Sequence, residues 1–158
     1  NYYIKDQFGF SSAYNGTIKA VIGVISLISN MTLCLYIMRK TNVAKSNALL
    51  LLFGGISMLG VLIFSSITPF IFFTILYLGI NAINTPVLQS LVSGRASAQN
   101  SNLVMGFYNA IKSLGMVAGS LIAGFVYDYN PKFPFMLAAV SFAGAFLLAM
   151  LYWKKTKK

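Results

Sequence analysis

Five apolar stretches alternate with short polar breaks, at about residues 13–38, 48–66, 70–92, 103–127 and 134–153. A helix needs ~20 predominantly apolar residues to cross the hydrocarbon of a bilayer, and each stretch supplies about that many. Breakers mark the joints. Gly9 precedes Ser11 and Ser12, either of which suits the N-cap of the first span. Residues 39–47 read as a basic polar loop, and residues 93–102 as a polar loop containing Arg95. Thr68-Pro69 reads as a tight turn, because proline disfavours helix at the residue before it. Asp128 to Lys132 reads as a turn, and Pro134 suits the first turn of the last span. Tyr2, Tyr3 and Ile4 read as the last turn of a preceding helix. The expected fold is all-α: a polytopic membrane helix bundle with five full transmembrane helices plus the end of a preceding one, forming a single bundle over residues 1–158.

Three of the spans carry polar residues that lipid would not tolerate. In the first, Asn15, Lys19, Ser26 and Asn30 follow at steps of four, seven and four, which keeps them on one helical stripe. In the third, Asn81, Asn84, Thr85 and Gln89 form a second stripe, interrupted by Pro86. In the fourth, Asn109, Lys112, Ser113 and Ser120 form a third. Two readings are open. The stripes line a shared polar cavity near mid-membrane, or they only join helices by hydrogen bonds worth ~0.6 kcal/mol each. Lys112 weighs toward the cavity. It lies about nine residues into its span, or ~14 Å at 1.5 Å per residue. A charge at such depth costs ~2.5–3.5 kcal/mol on insertion scales. Lys19 is nearer an end, where its stem can snorkel.

The fourth span is notched as well as polar. Gly115, Gly119 and Gly124 remove side chains near one flank, and Gly115 and Gly119 have the GxxxG spacing that lets helices approach closely. With Pro86 they are candidates for helix packing and hinging, as a rocking transporter needs. The leucines at residues 49–52 read as lipid-facing or bundle core. Asn15-Gly16-Thr17 matches a glycosylation sequon, but it lies almost at the membrane.

Composition narrows the classes. Hydrophobic residues are 58% of the chain and charged residues 9%, against about 25% charged in a soluble domain, so water cannot be its solvent. The net charge of +10 does not point to nucleic acid, because the basic residues sit in short loops and the tail. Alternating spans put Arg39, Lys40, Lys45, Arg95, Lys154, Lys155, Lys157 and Lys158 on one side, and Lys5 and Lys132 on the other. The positive-inside rule makes the richer side cytoplasmic, with the C-terminus inside and the Phe8–Phe10 loop outside. Tyr152 and Trp153 then sit where an aromatic belt belongs. Cys34 is the sole cysteine, histidine is absent, and Asp6 and Asp128 are the only acids. No internal disulfide, protein-ligated zinc, histidine triad or paired-carboxylate hydrolase can be built from these residues. No catalytic residue, metal or cofactor is expected. The chain opens on Asn1 rather than methionine, so a longer protein is expected upstream.

With these features in order, the chain resembles the C-terminal half of a major facilitator superfamily transporter, in particular the drug:proton antiporter type. Residues 8–16 resemble the external loop leading into the family's eighth helix. Arg39-Lys40 resembles its basic cytoplasmic link. Asn84-Thr85-Pro86 with Gln89-Ser90 resembles the tenth helix of efflux members, and the run from Gly106 to Asp128 the eleventh. Ser120 stands where many members have proline, and the loop after Arg39 lacks the fuller acidic-and-glycine signature. The resemblance implies a secondary active transporter that exports amphipathic small molecules or drugs by alternating access. Proton coupling would run through residues outside this chain. Its partners would be an N-terminal half, a small-molecule substrate and membrane lipid, in a bacterial cell (inner) membrane. Ser26, Asn30, Asn81, Asn84, Gln89, Asn109 and Lys112 are the expected cavity lining, with apolar contacts from Phe107 and Tyr108. The alternatives are an uptake facilitator for sugars or metabolites, a non-transport membrane assembly module, and a membrane enzyme. Cavity tryptophans and acids would favour the facilitator and are absent. The lack of histidine and intramembrane acids speaks against the enzyme.

Overall fold

Polar breaks in the hydrophobic pattern become helix ends. The computed structural model describes residues 12–64, 66–97 and 99–156, and every regular element in them is helical. α1 (Ser12–Ser29) passes through a π-helical segment (Asn30–Cys34) into α2 (Leu35–Lys40), and the three continue one another. α3 (Val43–Ile63), α4 (Ile67–Ser93), α5 (Ser101–Tyr129) and α6 (Phe133–Thr156) follow. Lys19–Lys40 and the four later helices are five segments long and apolar enough to cross a membrane. The protein is an all-α membrane helix bundle. The expected end of a preceding helix and the Phe8–Phe10 loop lie outside the described residues.

Two joints differ from the sequence expectation. Residues 43–47 are not loop. Asn42 is an extended N-cap (φ −72°, ψ 108°) whose side chain accepts the Lys45 N–H at 3.1 Å, so α3 starts at Val43 and takes Asn47 into its second turn. Thr68-Pro69 is not a turn either. Both residues lie in the first turn of α4, where backbone N–H groups have no partner within the helix and proline loses nothing. The break falls earlier, at extended Phe64 (ψ 120°) and Ser66 (ψ 146°).

α3 is the packed centre, set between α4 and α6. Its small residues make the approach possible: Ala44, Ala48, Gly54, Ser57 and Gly60 are buried. A Cβ on Gly54 would lie 2.9 Å from the Phe142 ring of α6, and one on Gly60 would lie 2.5 Å from the Phe73 ring of α4. Aromatic rings fill the space beside them. Tyr77 meets Phe142 edge-on at 5.6 Å, and Phe70 meets Phe135 at 6.0 Å. A second apolar cluster joins Cys34, Ile83 and Val87, flanked by Met38, Val43 and Leu50. At the basic end Lys45 lies over the Trp153 ring at 5.8 Å and Arg95 over Tyr152 at 5.6 Å. These contacts gather the start of α3, the end of α4 and the end of α6 at one end of the bundle.

α5 is the exception. It has no buried residue, and its contacts are with the flanks of α4 and α6.

Candidate functional site

The polar stripes assemble in part. On the first rod Ser26 and Asn30 are half-buried, Lys19 is exposed, and the side chain of Asn15 lies outside the described residues. Asn30 opens the π-helical segment, in which Thr32 Oγ1 donates to the Ile28 carbonyl at 2.7 Å. A π turn widens the helix by a residue and is frequent where helices carry function. Nothing in the sequence from Asn30 to Cys34 marks it, since glycine and proline are absent there; the back-bonding threonine is the one local cue.

On α4, Asn84 is buried, and Asn81, Thr85, Pro86 and Gln89 are half-buried. Pro86 lies inside the helix and leaves the Ala82 carbonyl without its usual N–H donor. Thr85 Oγ1 donates one turn back to the Asn81 carbonyl at 3.1 Å. α4 packs against α1 and the π segment, so the stripe of Asn81 and Asn84 and that of Ser26 and Asn30 belong to neighbouring elements.

Three amide oxygens in this region are buried with no hydrogen-bond partner: Asn30 Oδ1, Asn47 Oδ1 and Asn84 Oδ1. Each residue stands within about a helical turn of a member of the Cys34, Ile83 and Val87 cluster or of Val43 and Leu50 beside it. Leaving a buried acceptor unpaired costs ~1–3 kcal/mol. Asn30, Asn84 and Asn47 stand on the π segment, α4 and α3, elements that all contribute to or flank this cluster. The sequence expectation of a loop over residues 39–47 includes Asn47, which the structure places in α3. The N-cap pattern of Asn42 ahead of the apolar run was the signal that would have placed it in the helix.

The α5 stripe stands apart. Asn109 and Ser113 are exposed, Lys112 is half-buried, and Ser120 Oγ donates to the Val117 carbonyl at 2.9 Å. Phe107 is exposed and Tyr108 half-buried. A Cβ on Gly115, Gly119 or Gly124 would meet nothing within 4 Å. The close helix approaches of this chain are made at Gly54 and Gly60 instead. The structure thus sets two of the three stripe-bearing elements against each other, in the α1–α4 seam, and leaves the third stripe on a helix with no buried residue. Among the described residues, no group of three or more His, Cys, Asp or Glu comes together.

Comparison with known proteins agrees with this architecture. The family model of the Major Facilitator Superfamily matches residues 1–158. The chain is similar to the class B tetracycline resistance protein of Escherichia coli, 31% identical over 96 residues, covering 61% of this chain and 24% of that protein. It is also similar to the class H tetracycline resistance protein of Pasteurella multocida, 28% identical over 80 residues, covering 51% of this chain and 20% of that protein. The matches span a quarter or less of the length of these curated relatives. No solved structure matches the chain.

Proposed function

The chain belongs to the major facilitator superfamily, and on that premise we propose that it forms one wall of a drug exporter, the C-terminal half of a secondary transporter that moves amphipathic small molecules across a bacterial cell membrane. The observation that carries the reading is the state of α5. It is long enough to cross a membrane, bears Asn109, Lys112 and Ser113, and has no residue buried by the other described elements. A polar face and a cation at that depth are unfavourable against lipid. They suit an interface with a second bundle and a solvated path between the two. The open notches at Gly115, Gly119 and Gly124 suit the same neighbour, which would pack and slide there.

In this reading the polar path has two parts. Lys112 and Asn109 supply a cation and an amide from α5. Asn30, Asn81, Asn84 and Gln89 supply amides from the α1–α4 seam, where Asn84 holds an unpaired acceptor. Amide acceptors and aromatic edges bind the polar rim and apolar body of an amphipathic molecule without demanding one substrate. The described spans contain no carboxylate between Lys19 and Tyr127, so proton coupling in this scheme runs through the other half. Similarity to two tetracycline resistance proteins supports export of drugs over metabolite uptake. The basic end is the cytoplasmic one.

The test uses the full-length protein in proteoliposomes with an imposed pH gradient and a fluorescent cationic dye. Gradient-driven dye movement is expected in the wild type. Lys112→Ala should lower its rate roughly ten- to hundredfold, the value of a lost charged contact. Movement untouched by the substitution would make Lys112 a structural residue. No movement in either protein would remove the drug-export reading and leave metabolite uptake.

A further inference from the structure

A second feature lies away from the polar seam and does not depend on what the protein carries. α3 and α6 run antiparallel, and between them is an apolar groove of about 130 Å³. Its walls are two stripes of seven-residue spacing: Leu52 and Leu59 on α3, Ala139 and Phe146 on α6. Side chains seven apart lie two turns apart on one helix face. One further step of seven toward the basic end reaches Lys45 on α3 and Trp153 on α6. Those two side chains meet, with the Lys45 ammonium 5.8 Å from the centre of the indole ring. The groove and this cation–aromatic pair therefore share one face of the α3–α6 interface, two helical turns apart. The groove is open because Gly55 and Ala143 contribute almost no side chain to it.

Volume, depth and charge decide the occupant. Drug-sized ligands take pockets of roughly 300 Å³ or more. This groove is nearer the ~150 Å³ that holds one benzene, enough for a length of acyl chain. Leu52 and Leu59 lie ~10 and ~21 Å along α3 from Lys45, within the depth of one leaflet with its headgroups. At the same end of the bundle as Lys45 and Trp153, Arg95 stacks on Tyr152 at 5.6 Å, and Lys154 and Lys155 follow Trp153. The one side-chain carboxylate among the described residues, Asp128, is at the far end of α5. We propose that this groove is a binding site for an anionic phospholipid, with the phosphate held by Lys45 at the Trp153 ring and one acyl chain laid between α3 and α6. Trp153 orients the ammonium and marks the headgroup level, while Lys154 and Arg95 add to the local potential.

The test is lipid-selective quenching of Trp153 in the full-length protein. The protein is reconstituted in vesicles of phosphatidylcholine mixed with either dibrominated phosphatidylglycerol or dibrominated phosphatidylcholine. The signal of Trp153 is the difference between wild type and Trp153→Phe. Phosphatidylglycerol should quench it at about fivefold lower mole fraction, the preference expected of one lysine near the surface. Lys45→Gln should abolish that preference, and Lys45→Arg should keep it. Ala143→Leu, at an exposed position of the groove, should weaken quenching by both lipids. In the unaltered protein, added salt should remove the preference while quenching persists. Equal quenching by the two lipids in low salt would show a non-selective annulus and overturn the proposal, as would a preference that survives Lys45→Gln. An unquenched Trp153 together with a cross-linked dimer would assign the groove to a second copy of the chain.

Discussion

An amide oxygen buried without a partner costs free energy that the surrounding packing has to offset. Asn84 is 8% exposed and Asn47 4%, so water does not serve either carbonyl from the surface. This makes a counter-intuitive prediction. Asn84→Leu removes the unpaired acceptor and supplies a similar volume to the Ile83 and Val87 packing. It should raise the stability of the full-length protein by ~1–3 kcal/mol, read as an increased thermal midpoint, while transport falls. A lowered midpoint would mean the amide holds a partner from the other half. Lys112 carries the opposite logic. Its cost is a charge rather than an unpaired dipole, and it is half-buried on a helix whose neighbours are mostly exposed. Alanine there should lower transport with little change in the packing of this bundle.

Among the helices, glycine means different things in different places. Gly60 receives the Phe73 ring, which is stacked on Phe64 at 5.6 Å and met edge-on by Phe72 at 5.5 Å. A ring held on both sides cannot swing away from a new methyl group. Gly60→Ala should destabilise the bundle by ~1–3 kcal/mol. Among the described residues, nothing lies within 4 Å of a Cβ on Gly119. Gly119→Ala should leave thermal stability unchanged, or raise it by up to ~1 kcal/mol through helix propensity. Under the proposed function it should still slow dye transport, because the methyl group would fill a notch assigned to the second bundle. Equal loss of stability from both substitutions would contradict this division between packing within the chain and packing beyond it. The fourth span looks built for close approach in the sequence, yet a Cβ on Gly115, Gly119 or Gly124 meets nothing among the described residues.

At the scale of the whole molecule, the two cation–aromatic contacts set the ends of the bundle. Lys45, Arg95, Tyr152 and Trp153 are at one end, and Lys132 is in the turn at the other. On the proposed topology, which puts the basic end in the cytoplasm, a cysteine placed at Lys155 should resist a membrane-impermeant maleimide in intact cells and react after permeabilisation. A cysteine at Lys132 should react in both. The native Cys34 is buried and should contribute little background. The reverse labelling pattern would invert the topology. Membership in a superfamily of transporters and a spanning α5 with no buried residue are the two findings on which the proposed pairing with a second bundle rests.

Hydropathy along the chain was enough to establish five membrane spans, their alternation and the gathering of basic residues at one end, because each is a property of local composition. Helix starts were nearly as legible. Asn42 and Ser66 are capping residue types, and Asn42 caps α3 through its side chain while Ser66 makes no side-chain cap bond; the expectation differs there because polar side chains and a proline also fit the first turn of a helix. Which glycines pack, which amides are buried unpaired, and that Lys45 meets Trp153 were not legible. Each depends on a side chain from a helix distant in the sequence: Phe142 for Gly54, Phe73 for Gly60, Trp153 for Lys45. A periodicity states which face a residue occupies. Only the tertiary arrangement states what, if anything, stands opposite.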